Sequence, residues 1–164
     1  MRRFSDGVEA ALHCTLVLAG LPDNAVLSGK SLATLHGLSE TYLLKHLRQL
    51  AAAGVVTSVP GPRGGYRLAR PPRDVSMLDI VEAIDGTEPA FVCRELRRRG
   101  PGKTSDPCAY ARDCFIKLRM LAAEDAWRSA LRRQTLADLL DDGEKYIDAA
   151  NKRAVEEFVE SEMR

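Results

Sequence analysis

Residues 39–68, SETYLLKHLRQLAAAGVVTSVPGPRGGYRL, decide the fold of this chain. Ser39 can cap a helix that begins at Glu40, leucines recur along it at helical spacing, and Gly54 can end it in a left-handed conformation. Two short runs rich in β-branched and aromatic residues follow, on either side of the Gly- and Pro-rich turn 60–65. The stretch therefore predicts a helix that leads into a β-hairpin.

Helical periodicity and capping residues predict further helices over 6–21, 29–36, 77–84, 115–133 and 135–140, and a charged, frayed helical tail over 144–164. The order of a short helix, a turn at Gly37, a second helix and a Gly-rich hairpin is typical of a winged helix-turn-helix. The predicted fold class is therefore mainly α with a small β-hairpin wing. The apolar surface of helix 115–133 exceeds the need of one small domain and suits dimerisation with a second copy.

The composition is that of an ordinary globular protein, with 45% hydrophobic and 29% charged residues among 164. Its apolar runs are far shorter than the roughly 20 residues that span a bilayer. The first predicted helix carries Glu9 and His13, which the apolar core of a secretory signal would not contain. We therefore expect a cytoplasmic protein that does not bind membranes.

The charge is unevenly distributed along the chain. Residues 1–75 hold nine Lys and Arg against five Asp and Glu, or +4, and the remainder holds fifteen against eighteen, or −3, which sums to the net charge of +1. A basic half of this kind favours a nucleic-acid partner.

A winged helix-turn-helix enters the major groove with the N-terminal end of its second helix. The early polar side chains of helix 40–53 would then meet base edges and phosphates, and glycines at the hairpin tip would let backbone approach a minor groove. The candidate DNA-binding residues are Ser39, Thr41, Tyr42, Lys45, Arg48, Arg63, Gly64 and Gly65.

Three of the four cysteines, Cys93, Cys108 and Cys114, fall within 22 residues, whereas Cys14 lies in the first helix. In a reducing cytoplasm, clustered cysteines more often bind metal or undergo redox reactions than form structural disulfides. An iron–sulfur cluster, a zinc site and a thiol–disulfide switch all remain open at this point. No catalytic base accompanies the cysteines recognisably, so we expect no enzymatic activity.

Four stretches resemble the Rrf2 family of bacterial transcriptional regulators: 39–45, 53–56, 61–68 and 75–86. The resemblance extends over most of residues 4–140. It implies a homodimeric regulator, most often a repressor, that crosses its long helices and binds a pseudo-palindromic operator in double-stranded DNA. It also implies an iron–sulfur cluster that senses redox state, nitric oxide or iron.

Within the family, the segments 7–14 and 90–93 most resemble the redox regulator RsrR group. That resemblance implies a [2Fe–2S] rather than a [4Fe–4S] cluster, with Glu9, His13, Cys93 and Cys114 as ligands and Cys108 in reserve. Glu9 and His13 stand at i and i+4, so they share one helix face. The family usually has five or six residues between successive cysteines, whereas fourteen separate Cys93 from Cys108 here. The implied domains are a DNA-binding domain 1–86, a cluster-binding loop 87–114, a dimerisation helix 115–134 and a helical tail 135–164.

Overall fold

A computed structural model describes residues 4–164, so the first three residues of the predicted domain 1–86 lie outside the described part. The described residues form seven α-helices and one hairpin: α1 (Asp6–Ala19), α2 (Gly29–Leu35), α3 (Glu40–Ala52), β1 (Val56–Val59), β2 (Gly65–Leu68), α4 (Met77–Asp85), α5 (Phe115–Arg132), α6 (Leu136–Tyr146) and α7 (Ala149–Glu162). The mainly helical fold with a small hairpin wing is confirmed.

Local sequence signals set the helix-turn-helix and the wing. Ser28 and Ser39 cap α2 and α3 by accepting backbone N–H bonds, and Gly37 makes the turn between them with φ 63°. In the antiparallel hairpin, Val56 pairs with Leu68 and Val59 with Gly65. An isolated bridge between Leu27 and Tyr66 attaches the hairpin to the segment that precedes α2.

A single hydrophobic core joins α1, α2, α3, the hairpin and α4. The largest side chains that are fully enclosed in it are Leu27, Leu32, Leu43, Leu47, Leu50, Ile80 and Leu136. Cys14 lies in the same core with no exposed surface, and burial raises the pKa of its thiol to about 12. Cys14 therefore acts as a small buried hydrophobe.

Helix α5 is attached to α4 through charged groups. Arg128 contacts the carboxylates of Glu82 and Glu124, and Glu124 also accepts the backbone N–H of Ala90 at 2.9 Å. The first half of α5 presents large apolar side chains that are 44–70% exposed, namely Phe115, Ile116, Leu118 and Met120. Glu124 is the one buried residue of the helix within the single chain.

The C-terminal part is more ordered than its charge pattern predicts. A capping box at Thr135 begins α6, which continues to Tyr146 instead of ending near residue 140. Helix α7 packs back on the core through Val159, and Met163 after it does the same. The tail is therefore helical as predicted, and its two apolar residues attach it to the core, which the charge pattern did not indicate. Within residues 4–164, no helix is long and apolar enough to cross a membrane.

Candidate nucleic-acid interface and cysteine site

The N-terminal half of α3 presents a polar, basic face to solvent. Ser39, Thr41, Tyr42, Lys45 and Arg48 are all exposed, while Leu43, Leu47 and Leu50 on the opposite face are buried. Ser39 Oγ accepts the backbone N–H of Tyr42 at 3.2 Å, so this residue caps the helix besides being a candidate phosphate donor. Among the described residues, Lys45 and Arg48 form no ion pair, which leaves both cations available to phosphates.

His46 does not join this exposed face. It is 6% exposed, its Nδ1 lies 3.0 Å from Gln49 Oε1, and its ring packs edge-on against Tyr42. A Cβ added to Gly7 of α1 would lie 2.4 Å from the His46 ring, so α1 and α3 pack closely here. The ring of His46 therefore fills the contact between the two helices and is not available to phosphate.

The wing tip exposes Arg63 next to Gly64 and Gly65. Steric constraints that are independent of DNA favour glycine at positions 64 and 65. A Cβ on Gly64 would lie 2.1 Å from the carbonyl oxygen of Val59, and one on Gly65 would lie 2.4 Å from that of Leu27. The glycines thus let the hairpin close and let it lie directly against the backbone that precedes α2.

Replacing Gly65 by alanine is expected to destabilise the fold by about 1–3 kcal/mol, as overpacking typically does. The atom that the new Cβ meets belongs to backbone and cannot rotate away, so the wing must shift from Leu27. Urea unfolding measures the loss of stability. The control is Ser58→Ala, which also places an alanine in the hairpin but at an exposed position of β1. Equal stability of the two variants would show that the hairpin accommodates a Cβ without cost.

The structure brings Cys93 and Cys114 together. Cys114 is the N-cap residue of α5 and is 6% exposed, and the Cys93 side chain lies near enough to lower the pKa of its thiol. Hydrogen bonds from the backbone N–H groups of Lys117 and Ile116, together with Cys93 and the charge of Arg97, hold the pKa of the Cys114 thiol below its ordinary value against the effect of burial. These donors therefore favour the thiolate form of Cys114 more than the surroundings of an ordinary cysteine would.

Arg97 is a member of this site that the sequence did not indicate. It forms a salt bridge of 2.8 Å with Glu95, whose backbone is left-handed at φ 48°, and donates to the carbonyl oxygen of Arg112 at 3.2 Å. The Cys93 thiol in turn lies 3.6 Å from Glu95 Oε1. The run 94–99 contains four arginines, and no linear signal distinguishes Arg97 among them.

Cys108 lies apart from the pair. It is exposed on a one-turn 3₁₀ helix, Pro107–Tyr110, and its backbone N–H is held by Asp106 at 2.8 Å. Tyr110 anchors this turn, because its hydroxyl donates to the carbonyl oxygen of Arg97 at 3.0 Å and its ring lies under Arg98. The cysteine spacing, which departs from the family pattern, thus corresponds to a loop that displays Cys108 outward.

Glu9 and His13 are both exposed on one face of α1, as their spacing predicts. They line a cleft of about 450 Å³ together with His36 and Tyr42, and the rings of His13 and His36 are 5.7 Å apart. Burial, and secondarily the proximity of His13, holds the pKa of His36 below its ordinary value. Within residues 4–164 of one chain, no three His, Cys, Asp or Glu side chains converge on a possible metal position, so one chain alone does not assemble the predicted four ligands.

Comparison with known proteins identifies relatives over most of the chain. Residues 4–142 match the family model Rrf2, described as iron-dependent transcriptional regulator. The helix-turn-helix-type transcriptional regulator YwgB of Bacillus subtilis (strain 168) is 28% identical over 139 residues, which are 85% of this chain and 85% of that protein. These relatives are regulators rather than enzymes, which confirms the expectation of no enzymatic activity.

Two solved structures share the fold. CymR (YrzC), the global cysteine regulator of B. subtilis, is 29% identical with a TM-score of 0.63, and the match covers 86% of this chain and 98% of CymR. IscR of T. potens is 28% identical with a TM-score of 0.66, covering 90% of this chain and 93% of IscR. Winged helix, hairpin and family match agree, and the chain belongs to the Rrf2 family of DNA-binding transcriptional regulators.

Proposed function

We propose that this protein is a dimeric repressor whose affinity for a pseudo-palindromic operator is controlled by a [2Fe–2S] cluster. The observation that supports this proposal most directly is the proximity of Cys93 and Cys114 to each other and to Arg97. Glu9 and His13 are exposed on another helix, α1. In this proposal the domains are those that the sequence implies, with 1–86 on DNA, 87–114 at the cluster and 115–134 between subunits. The protein acts in the cytoplasm, where thiols stay reduced.

DNA contact is assigned to α3 and the wing. The exposed polar residues at the start of α3 would enter the major groove, and Lys45 and Arg48 would neutralise phosphates. Arg63 at the wing tip would reach a flanking minor groove. The DNA-binding residues are therefore proposed as Ser39, Thr41, Tyr42, Lys45, Arg48, Arg63, Gly64 and Gly65.

Dimerisation is supported by α5. Four large apolar residues within the first six positions of this helix are exposed in the single chain, and a concentration of exposed apolar surface marks an interaction surface. Two copies that cross these helices would bury the patch on both sides of a two-fold axis. The same axis would place two α3 helices for two operator half-sites.

The donor chemistry of the cysteine site fits an iron–sulfur cluster. Cluster iron prefers thiolates, and Cys114 has a lowered pKa next to a second thiol. Glu9 and His13 supply a carboxylate and an imidazole from one helix face, and they would come from the other subunit because one chain does not bring them to the thiols. When bound, such a cluster supplies a reversible redox centre, and a histidine ligand raises its potential.

Helix α1 connects this site to the DNA-binding surface. Gly7 lies against the His46 ring of α3, two residues before Glu9 and six residues before His13 on the same helix. A displacement of the Glu9 and His13 side chains therefore moves a helix that is closely packed on the recognition helix. This contact supports a regulatory change in the spacing of the two α3 helices.

A second candidate keeps the fold and replaces the cluster by a thiol switch. The proximity of Cys93 and Cys114 and the lowered pKa of Cys114 favour it specifically. The two thiols would form a disulfide and pass two electrons and two protons to hydrogen peroxide, which is reduced to two waters. A structural zinc site would use the same donors.

Anaerobic purification followed by visible spectroscopy and assays of iron, sulfide and zinc tests the proposal. We expect broad absorption with about two irons and two sulfides per monomer, and operator affinity that differs among the oxidised, reduced and apo forms at fixed salt. About four irons would instead indicate a site that includes Cys108. A colourless protein that still binds DNA would contradict the cluster and leave the thiol switch or zinc.

A further inference from the structure

Residues 149–164, here called the C-terminal segment, hold a set of contacts that the family match does not account for, since that match ends at residue 142. The segment consists of α7 followed by Met163 and Arg164. It packs against α2 and the core. Three of its contacts lie at the wing, the hairpin 56–68, or at the residues that support the wing.

The first contact is a side-chain bond at the start of α2. Ser31 Oγ donates to Glu162 Oε2 at 2.6 Å, and Ser31 is itself 3% exposed. Ser31 also lies 2.7 Å from Ser28, the cap of α2. Glu162 is thereby attached to the residues that directly follow Val26 and Leu27, the segment that supports the wing.

The second contact is a chain of backbone hydrogen bonds. Val26 and Arg164 exchange two bonds, with N–O distances of 3.0 and 3.1 Å, and the next residue, Leu27, exchanges two with Tyr66 of β2, at 3.1 and 2.8 Å. Successive residues of an extended segment present their backbone groups to opposite sides. The segment at Val26 and Leu27 is therefore held between Arg164 on one side and the wing on the other.

The third contact reaches the wing tip itself. The guanidinium Nη1 of Arg164 donates to the carbonyl oxygen of Pro62 at 3.1 Å, and Pro62 precedes the exposed Arg63. The hairpin has two strands of four residues each, and a two-stranded hairpin is marginally stable by itself. An external support of its tip therefore has a direct effect on where Arg63 lies.

We propose that the C-terminal segment is a wing-positioning element, in which Glu162 and Arg164 hold Arg63 in the orientation that contacts DNA. The proposal rests on DNA binding through the wing and is independent of any cluster. Loss of the support would leave only a fraction of molecules with a competent wing, and apparent operator affinity falls by that fraction.

The test compares Arg164→Pro with Arg164→Ala. Proline lacks the N–H that bonds to Val26 and also removes the side chain, whereas alanine removes only the bond to Pro62. The probe is a DNA duplex selected by the wild-type apoprotein from a random library. We expect Arg164→Pro to weaken binding about 3- to 10-fold and Arg164→Ala to weaken it less. Both variants should melt within a few degrees of the wild type.

Two further readouts separate positioning from a general structural effect. In an Arg63→Ala background, Arg164→Pro should have no additional effect on affinity, because the residue it positions is gone. Amide hydrogen exchange of residues 65–68 should accelerate in Arg164→Pro without DNA present. Unchanged exchange, or an equal loss of affinity with and without Arg63, would overturn the proposal. Failure of the wild type to select any duplex would count against DNA binding, and the exchange result would still decide the support of the wing.

Discussion

Replacing Cys114 by alanine is expected to reduce bound iron and sulfide to less than about a tenth of the wild-type content. A cluster that only two thiolates hold is released when either of them is removed. Cys93→Ala should have the same effect. Cys108→Ala is the matched control, since it removes a thiol from the same loop but from an exposed position without a described bond to the pair. Iron and sulfide assays after anaerobic purification measure the result.

The reason for the large difference lies in the surroundings of the sulfur atoms. Cys114 receives the backbone N–H groups of Lys117 and Ile116 at the start of an 18-residue helix, and Arg97 adds a positive charge. Cys108 has its backbone fixed by Asp106 while its side chain points to solvent. Loss of the cluster in Cys108→Ala together with retention in Cys93→Ala would reverse the assignment.

The Cys114→Ala variant can also show which subunit supplies the His13 imidazole. If the imidazole comes from the other subunit, a heterodimer of a His13→Ala chain with a Cys114→Ala chain contains one intact site and one doubly defective site. Mixing the two inactive variants should then restore cluster binding to about half of the sites in the heterodimer. If all four ligands belonged to one chain, mixing would restore nothing.

The sequence predicts the DNA-binding half well because the signals there are local. Ser39, Gly54 and Ser76 each act within one turn of their own helix, and the pairing of β1 with β2 crosses a short turn. The burial of His46 follows from the same periodicity, since position 46 lies on the stripe of Leu43, Leu47 and Leu50. At this position the spacing indicates burial, although the residue type is polar.

Other features depend on contacts between distant residues. Arg97 reaches the thiols through a loop that Tyr110 closes, and α7 docks through two apolar residues among many charges. Loop closure and docking of this kind follow from the packed structure, and no period in the sequence encodes them. The pairing of Cys93 with Cys114 rather than with Cys108 is of the same kind, because twenty residues separate the two cysteines and a resemblance was needed to suggest it.

Neutralising Lys45 and Arg48 together is expected to have the second large effect. A dimer would lose four phosphate contacts, each of which contributes about −0.9 to the slope of log affinity against log salt. The slope should therefore become shallower by about 3 to 4. Operator affinity near 0.1 M salt should fall about 10³-fold by the same relation. Fluorescence anisotropy at several salt concentrations measures both quantities.

The matched control is Lys145→Ala with Arg153→Ala, which removes the same charge from exposed positions on α6 and α7. Long-range steering depends on total charge and would respond in both double variants, whereas phosphate contacts are lost only at α3. We therefore expect the control to retain the wild-type salt slope. An equal change of slope in both pairs would mean that α3 contributes charge alone, and the assignment of α3 to the major groove would fail.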